Sequence, residues 1–273
     1  MRVDLHVHTS ASDGQYSPEQ VVALALKRKL NAIAITDHDT TEGIVKAEQA
    51  ARQFGSPVII PGVELSAEDS IHVLGYFIQP DAPALRDALA ALHIDRQRRG
   101  QQMVAKLAAL GAPVDWARVL ALAKGGAVGR PHIARALFEA KHVDSMREAF
   151  DRFLYDGGPA YVGREGLTPE AAIDLIHAAG GAAVLAHPGA LPDFRALIPR
   201  LAAAGLDGLE IAHPVHNRPT RLDLRGLAAI HRLIMTGGSD FHGTMTNGTI
   251  TLGSETPPEG CVAALRARAA RYV

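Results

Sequence analysis

Thirteen histidines stand out in a chain of 273 residues, and their neighbours decide what chemistry they can do. His6-Val7-His8 sets two imidazoles two positions apart. Further on come Asp37-His38-Asp39, Glu64, His72, His187-Pro188, His213-Pro214 and Asp240-Phe241-His242. Imidazole and carboxylate are the nitrogen and oxygen donors of divalent metal sites. Taken singly, each piece also fits a buried, hydrogen-bonded histidine or a turn. Taken together, several His and carboxylates with no Lys among them would be costly to bury unless cations neutralised them. A multinuclear metal site is the chemistry this pattern predicts.

The elements that must gather these residues can be read from the same rows. Strand patterns fall at Arg2–Val7, Ala32–Thr36, Val58–Val63, Ile71–Phe77, Ala182–Ala186, Gly208–Ile211 and Leu233–Thr236. Along a strand, side chains alternate, so His6 and His8 face one way. Most of the other groups follow the C-terminal end of a strand, the face where parallel barrels hold active sites. His72 starts its strand instead. The connection before that strand is too short for a parallel crossover, so it should run antiparallel, which returns His72 to the same end. Helices are expected after a capping box at Ser17-Pro18-Glu19-Gln20, near Thr41–Phe54, from Pro83 to Leu110, after Thr168, over Phe194–Ala204 and Thr220–Arg232, and near Glu259–Arg271. Three more, Asp115–Lys124, Pro131–Ala140 and Ser145–Leu154, follow one another with no strand between them. The fold class is therefore α/β, a distorted seven-stranded (β/α) barrel with a helical insertion: barrel over 1–102 and 166–273, insertion over 103–165.

Composition narrows the function classes. Lys and Arg total 28 against 29 for Asp and Glu, a formal charge of −1, so no broad electrostatic footprint for duplex DNA is expected. The single Cys261 excludes a thiolate zinc cluster and fits a reducing cytoplasm. Asp4 and His6 break the apolar run a secretion signal would need. The uncharged stretch from Leu175 to Pro192 contains His, Pro and Gly, and reads as helix end, strand and turn rather than a membrane span.

The set His6-Val7-His8-Thr9, Asp13, Thr36-Asp37-His38, Gly62-Val63-Glu64, His72, Ala186-His187-Pro188 and Ser239-Asp240-Phe241-His242 resembles the PHP (polymerase and histidinol phosphatase) family of metal-dependent phosphoesterases. The resemblance implies a distorted seven-stranded barrel and three metal ions, expected to be Mn²⁺, with Zn²⁺ or Fe²⁺ as alternatives. It implies one metal on His6, His8, Glu64 and Asp240. A second would share Glu64 and add His72 and His187, and a third would take Asp13, His38 and His242.

Such a cluster implies hydrolysis of a phosphate ester by a metal-bridging hydroxide, the cations lowering the pKa of water and neutralising phosphate oxygens. No side-chain nucleophile is required; Ser10, Ser12 and Ser239 read as turn or supporting residues. His213 could orient or protonate the leaving oxygen, or be one more hydrogen-bonded histidine. Gly125-Gly126-Ala127-Val128-Gly129-Arg130-Pro131-His132 reads as an anion site with free backbone N–H groups, an Arg130 clamp and His132 as a further donor. Gly163-Arg164-Glu165 is a second candidate. The alternative for both is a solvated loop, and Arg96, Arg98 and Arg99 read as a solvated helix face. Within the family, the Gly-Arg-Pro-His-Ile segment resembles stand-alone enzymes that act on 5′-phosphorylated nucleotides. The expected activity is a phosphoric monoester hydrolase converting a nucleoside 3′,5′-bisphosphate such as pAp to AMP and phosphate. Trimming of short RNA from the 5′ end, a histidinol-phosphate-type phosphatase, and a non-catalytic module whose metals support a partner interface are the alternatives.

Overall fold

Seven strands hydrogen-bond in sequence order: β1 (Val3–Val7), β2 (Ala32–Ile35), β3 (Val58–Ser66), β4 (His72–Tyr76), β5 (Ala182–Leu185), β6 (Gly208–Ala212) and β7 (Ile234–Gly237). They come from a computed structural model that describes residues 1–164, 166–243 and 248–273. A parallel bridge from Val7 to Phe241 brings the last strand round to the first and nearly closes the barrel. Gly238 makes that approach possible, because a Cβ there would fall onto the backbone of His6. Every neighbouring pair is parallel except those of β4, which runs antiparallel to both β3 and β5. The short link between β3 and β4 forces that reversal, as expected, and sets Ser66 opposite His72.

Two apolar layers hold the barrel. Leu5, Ala34, Leu74, Tyr76, Val184 and Ala186 belong to an inner cluster that also takes Cys261 and Leu265 of the last helix, α10 (Cys261–Ala269). Small Ala side chains at several of these positions suit a narrow interior. The outer layer joins Val7, Ile33, Ile35, Leu65 and Val73 to the surrounding helices. These are α1 (Pro18–Lys27), α2 (Glu42–Phe54), α7 (Pro169–Ala178), α8 (Phe194–Ala203) and α9 (Arg218–His231). The β1–β2 register shifts between Asp4 and Val7. Across this bulge Leu5 packs inward and Val7 outward, so His6 and His8 both point into the barrel mouth.

Between β4 and α7 the chain is helical among the described residues. α3 (Pro83–Ala109) is followed by α4 (Trp116–Ala123), α5 (Arg130–Glu139) and α6 (Met146–Ala149), the last running into a π-helical turn over Phe150–Leu154. α3 has 27 residues, about 40 Å at 1.5 Å per residue, and serves two cores. Leu85 and Leu89 pack in the barrel layer, whereas Met103 and Leu107 join a separate cluster with Val119, Ile133, Leu137 and Leu154. No helix among the described residues is long and apolar enough to cross a membrane.

Candidate metal centre and active site

Glu64 is the centre of the site. It lies inside β3 rather than just beyond it, because that strand runs on to Ser66. Its Oε2 faces His6 Nε2 at 3.3 Å, His8 Nε2 at 3.2 Å and His38 Nδ1 at 2.9 Å. Its Oε1 faces His72 Nδ1 at 2.9 Å and His187 Nε2 at 3.1 Å. Asp240 Oδ1 lies 3.3 Å from His6 Nε2 and 3.1 Å from His8 Nε2. Asp13 Oδ1 lies 3.2 Å from His242 Nε2, and its Oδ2 3.8 Å from His38 Nε2. All nine residues read from the sequence as metal ligands thus meet at one end of the barrel, drawn from the ends of six strands and the loop after β1.

The grouping differs in detail from the one the resemblance implies. Sets of ligand atoms close enough to share an ion are His6, His8 and Glu64; His38, Glu64 and His72; His6, His213 and Asp240; and His8, Asp13, His38 and His242. His8 and His38 therefore each serve two sets, and His213 sits within the ligand ring, its Nε2 3.4 Å from Asp240 Oδ2. His213 Nδ1 accepts from Val215 N–H at 3.2 Å, which leaves the ring proton on Nε2.

The chemistry of these donors fits divalent cations. His6 Nε2, both ring nitrogens of His8, Asp13 Oδ1, His38 Nδ1 and Glu64 Oε2 are buried without a hydrogen-bond partner among the described residues. Their approaches to one another lack hydrogen-bond geometry, yet orphaned buried polar atoms are costly. Burial opposes charge on His6, but Glu210, Asp240 and Glu64 outweigh it and raise its pKa well above the usual histidine value. His242 is likewise pushed up to about 10, burial being outweighed by Asp13 and Asp240. The carboxylates thus demand positive charge, which a divalent ion supplies more compactly than protons do.

Supporting residues went unrecognised in the sequence. Glu210, fully buried on β6, lies 3.0 Å from His6 Nδ1 and accepts from His187 N–H at 2.8 Å. It fixes the ring whose other nitrogen faces Glu64. Asp37 accepts from Thr9 N–H, Thr9 Oγ1 and Ser12 Oγ at 2.6 to 2.7 Å, tying the loop after β1 to β2. Asp4 does the same between Ser239 and Gly253. Ser12 and Ser239 are therefore structural, as expected. His187 and Asp240 hold left-handed backbone, φ 30° and 51°, a strained conformation that aims each side chain at the cluster.

Beside the metal ligands lies a cavity of about 380 Å³ lined by His38, His72, Asp240 and His242 and by Arg96, Arg99, Arg130 and Arg164. Arg96 and Arg99 do not form a solvated face: they are 5% and 8% exposed. Arg96 donates to Asp39 Oδ2 at 2.6 Å, Ser66 Oγ at 3.0 Å and Val128 O at 3.1 Å. Arg99 donates to the carbonyls of Val162 and Gly163. Arg164 also reaches Asp39 Oδ2, at 2.9 Å. Burial would raise the Asp39 carboxyl pKa, but Arg96 and Arg164 outweigh it and hold it well below the usual range. Burial and the Arg96 charge pull Arg164 down to about 10. Arg130 lies over the Tyr161 ring at 5.3 Å and donates to Asp156 Oδ1 at 2.6 Å. The glycine-rich turn beside it is not a cradle of free amides. Its Gly126, Ala127 and Gly129 N–H groups donate to Ala123 O, Ala11 O and His132 Nδ1. His132 is spent capping α5 and faces a different cavity, so it does not join Arg130 and Arg164. Glu165 lies outside the described residues.

Residues 4–155 match the model of the PHP domain. The chain belongs to the PHP family. It is 40% identical over 247 residues to the 5′-3′ exoribonuclease Rnm of Salmonella typhimurium, covering 88% of this chain and 84% of that one. To the 3′,5′-nucleoside bisphosphate phosphatase of Chromobacterium violaceum it is 35% identical over 267 residues, covering 95% and 93%. A solved structure of a candidate metal-dependent phosphoesterase from Bifidobacterium adolescentis superposes with a TM-score of 0.88 at 33% identity, over 97% and 96% of the two chains. This PHP protein is accordingly a metal-dependent phosphoesterase on a (β/α) barrel.

Proposed function

We propose that this PHP protein removes the 3′-phosphate of nucleoside 3′,5′-bisphosphates, yielding a 5′-nucleotide and phosphate. The observation that carries the reading is one cavity lined both by His and carboxylate ligands, which would bind a phosphate through their ions, and by four guanidiniums. A bisphosphate has two phosphates to match them. His6, His8, Glu64 and Asp240, then Glu64, His72 and His187, then Asp13, His38 and His242 would hold divalent ions, with His8 and His38 able to serve neighbouring positions. Mixed imidazole and carboxylate donors suit Mn²⁺, Fe²⁺ or Zn²⁺. Ions bound there supply Lewis acidity towards phosphate oxygens and activate water.

The chain's own residues do the rest. Arg130 and Arg164 take the 5′-phosphate by charge-assisted hydrogen bonds, and Phe150 and Tyr161 offer flat surfaces to the nucleoside. Glu210 and Asp240 keep His6 oriented. His213, with its proton on Nε2, would donate a hydrogen bond to O3′ and steady the charge that develops as the P–O3′ bond breaks, the proton that O3′ gains coming from the attacking water. On a division into an insertion, 103–165, and a barrel, 1–102 and 166–273, Arg130 and Arg164 come from the insertion and Arg96, Arg99 and the metal ligands from the barrel part.

The test is phosphate release from pAp, AMP, histidinol phosphate and a 5′-phosphorylated trinucleotide, with Mn²⁺ and after chelation. Release from pAp that needs metal is expected. Release from histidinol phosphate alone would sink the substrate reading. Arg130→Ala should lower kcat/KM on pAp by roughly 10- to 100-fold, the loss of a charged hydrogen bond of about 1.5–3 kcal/mol, with metal content unchanged. Unaltered kinetics would remove Arg130 from the site.

A further inference from the structure

The run Lys27-Arg28-Lys29 closes α1 at the end of the barrel opposite the metal ligands, where Arg2 leads into β1 and Asn31 into β2. With Arg2, Leu24 and Ile250 it lines a cavity of about 560 Å³. Four cations share that space, and among the described residues no carboxylate lines it. Other exposed arginines, such as Arg52 and Arg98, pair with Glu48 and Asp95. The carbonyl end of α1 offers the four cations only about half a negative charge. The cavity is also built, not merely charged. Arg2 is pinned, its backbone N–H donating to Asn31 Oδ1 at 2.8 Å and its guanidinium to Arg28 O at 2.9 Å. Arg28 Nε is buried with no acceptor among the described residues, a donor that a bound anion would satisfy. Lys29 takes the left-handed position that ends the helix, φ 56°, with its N–H on Leu26 O and that of Leu30 on Ala25 O. Glycine suits that position best, so a lysine there is a backbone cost that a role for its charge would offset.

We propose that this cavity binds a small anion with two or more linked phosphates, at a site separate from the one that hydrolyses phosphate esters. A single phosphate near neutral pH carries about 1.5 to 2 negative charges, too few to balance four cations; a linked pair comes closer. Lys27 and Lys29 are exposed at the rim and can fold onto the outer phosphate oxygens, while Arg2 and Arg28 present guanidinium donors from the wall. Leu24 and Ile250 add an apolar face. Inorganic pyrophosphate would leave that face unused, whereas the sugar or base of a nucleoside diphosphate would cover it. Binding alone is proposed, since the ligands for catalytic ions lie at the other end of the barrel. The anion would tie Arg2, at the start of the strand that carries His6, to the end of α1.

The experiment is calorimetric titration of pyrophosphate, ADP and orthophosphate into the metal-loaded protein, comparing the parent with Lys29→Gly and with Lys27→Ala/Lys29→Ala. Binding at the metal centre, and any capture of its ions, is common to all three proteins, so the difference between them reports the remote cavity. The parent should bind one pyrophosphate per chain there. Lys29→Gly should weaken that binding about three- to fivefold and the double variant about tenfold or more, as expected for partly exposed charge pairs that add. Orthophosphate should bind the parent's cavity at least about tenfold more weakly than pyrophosphate, having lost the second phosphate's charged hydrogen bonds. Lys29→Gly keeps the left-handed turn, so its thermal midpoint should match or exceed the parent's, which separates loss of charge from loss of fold. Tighter binding of ADP than of pyrophosphate would assign the cavity to a nucleoside diphosphate, and equal or weaker binding to the inorganic anion. Identical isotherms in the parent and both variants would overturn the proposal, as would equal affinity of the cavity for orthophosphate and pyrophosphate.

Discussion

At the scale of single residues, the ligands matter less than what aims them. His6 can present Nε2 to Glu64 and Asp240 only while Nδ1 is held, and Glu210 is the group that holds it. Burial would raise the Glu210 carboxyl pKa, but His6, with His213 and His187, outweighs it and keeps the group ionised. Glu210→Gln preserves volume and removes the charge. Metal affinity, measured by competition with a chelating dye, should fall about 10- to 100-fold, as for other outer carboxylates of histidine sites. The thermal midpoint of the metal-free protein should stay close to the parent. Unchanged affinity would show that His6 needs no such partner. Glu210 was legible in principle, since a carboxylate inside the buried strand Gly-Leu-Glu-Ile-Ala needs a partner. Its signal is weaker than that of His213 because Glu210 lies inside β6, away from the strand end that marks the other site residues. The nine ligands were legible because period-two alternation and the strand-end rule are local, and the short β3–β4 link fixes even His72.

At the scale of elements, α3 couples the insertion to the barrel. Its middle carries Arg96, whose guanidinium ties Asp39 and Ser66 of the barrel to the Val128 carbonyl before α5. Nothing local distinguishes this arginine from Arg98, which is exposed two residues on and pairs with Asp95. A helix that changes cores halfway presents different faces in its two halves, so no single amphipathic stripe reveals which cations turn inward. That is why the sequence showed a charged face where the fold has a clasp. Arg96→Ala leaves Asp39 buried with Arg164 as its remaining guanidinium partner, and should cost about 3–5 kcal/mol, read by urea denaturation with activity followed in parallel. A loss below about 1 kcal/mol would mean that Arg164 and water suffice for Asp39. The expected helix and strand positions otherwise hold to within a few residues, because caps such as Ser17 and turn glycines mark them directly.

At the scale of the whole molecule, chemistry and stability occupy opposite ends of the barrel. The mouth carries strained backbone and orphaned donors, whereas the far end is closed by a fully paired carboxylate. Asp207, fully buried before β6, accepts from Ala183 N–H at 2.8 Å, Arg268 at 2.8 Å and Tyr272 Oη at 3.0 Å, and lies 2.9 Å from His177 Nε2. It thereby links α7, β5, β6 and the C-terminal helix α10. Burial alone would raise its pKa, but His177, the Ala183 amide and Arg268 outweigh that and lower it. A lowered folded-state value means that the unfolded chain binds the proton first. The stabilisation is therefore complete above the unfolded aspartate pKa, about 3.9, and disappears as pH falls through the folded one. Asp207→Asn should be less stable than the parent by about 1–3 kcal/mol at pH 7, and that gap should narrow steadily in denaturation curves taken from pH 5 down to pH 3. Because Asp207 lies at the end remote from Glu64, kcat on pAp at pH 7 should remain within twofold of the parent. A gap independent of pH would assign the loss to hydrogen-bond shape rather than charge, and a large fall in kcat would show that the two ends of the barrel are coupled.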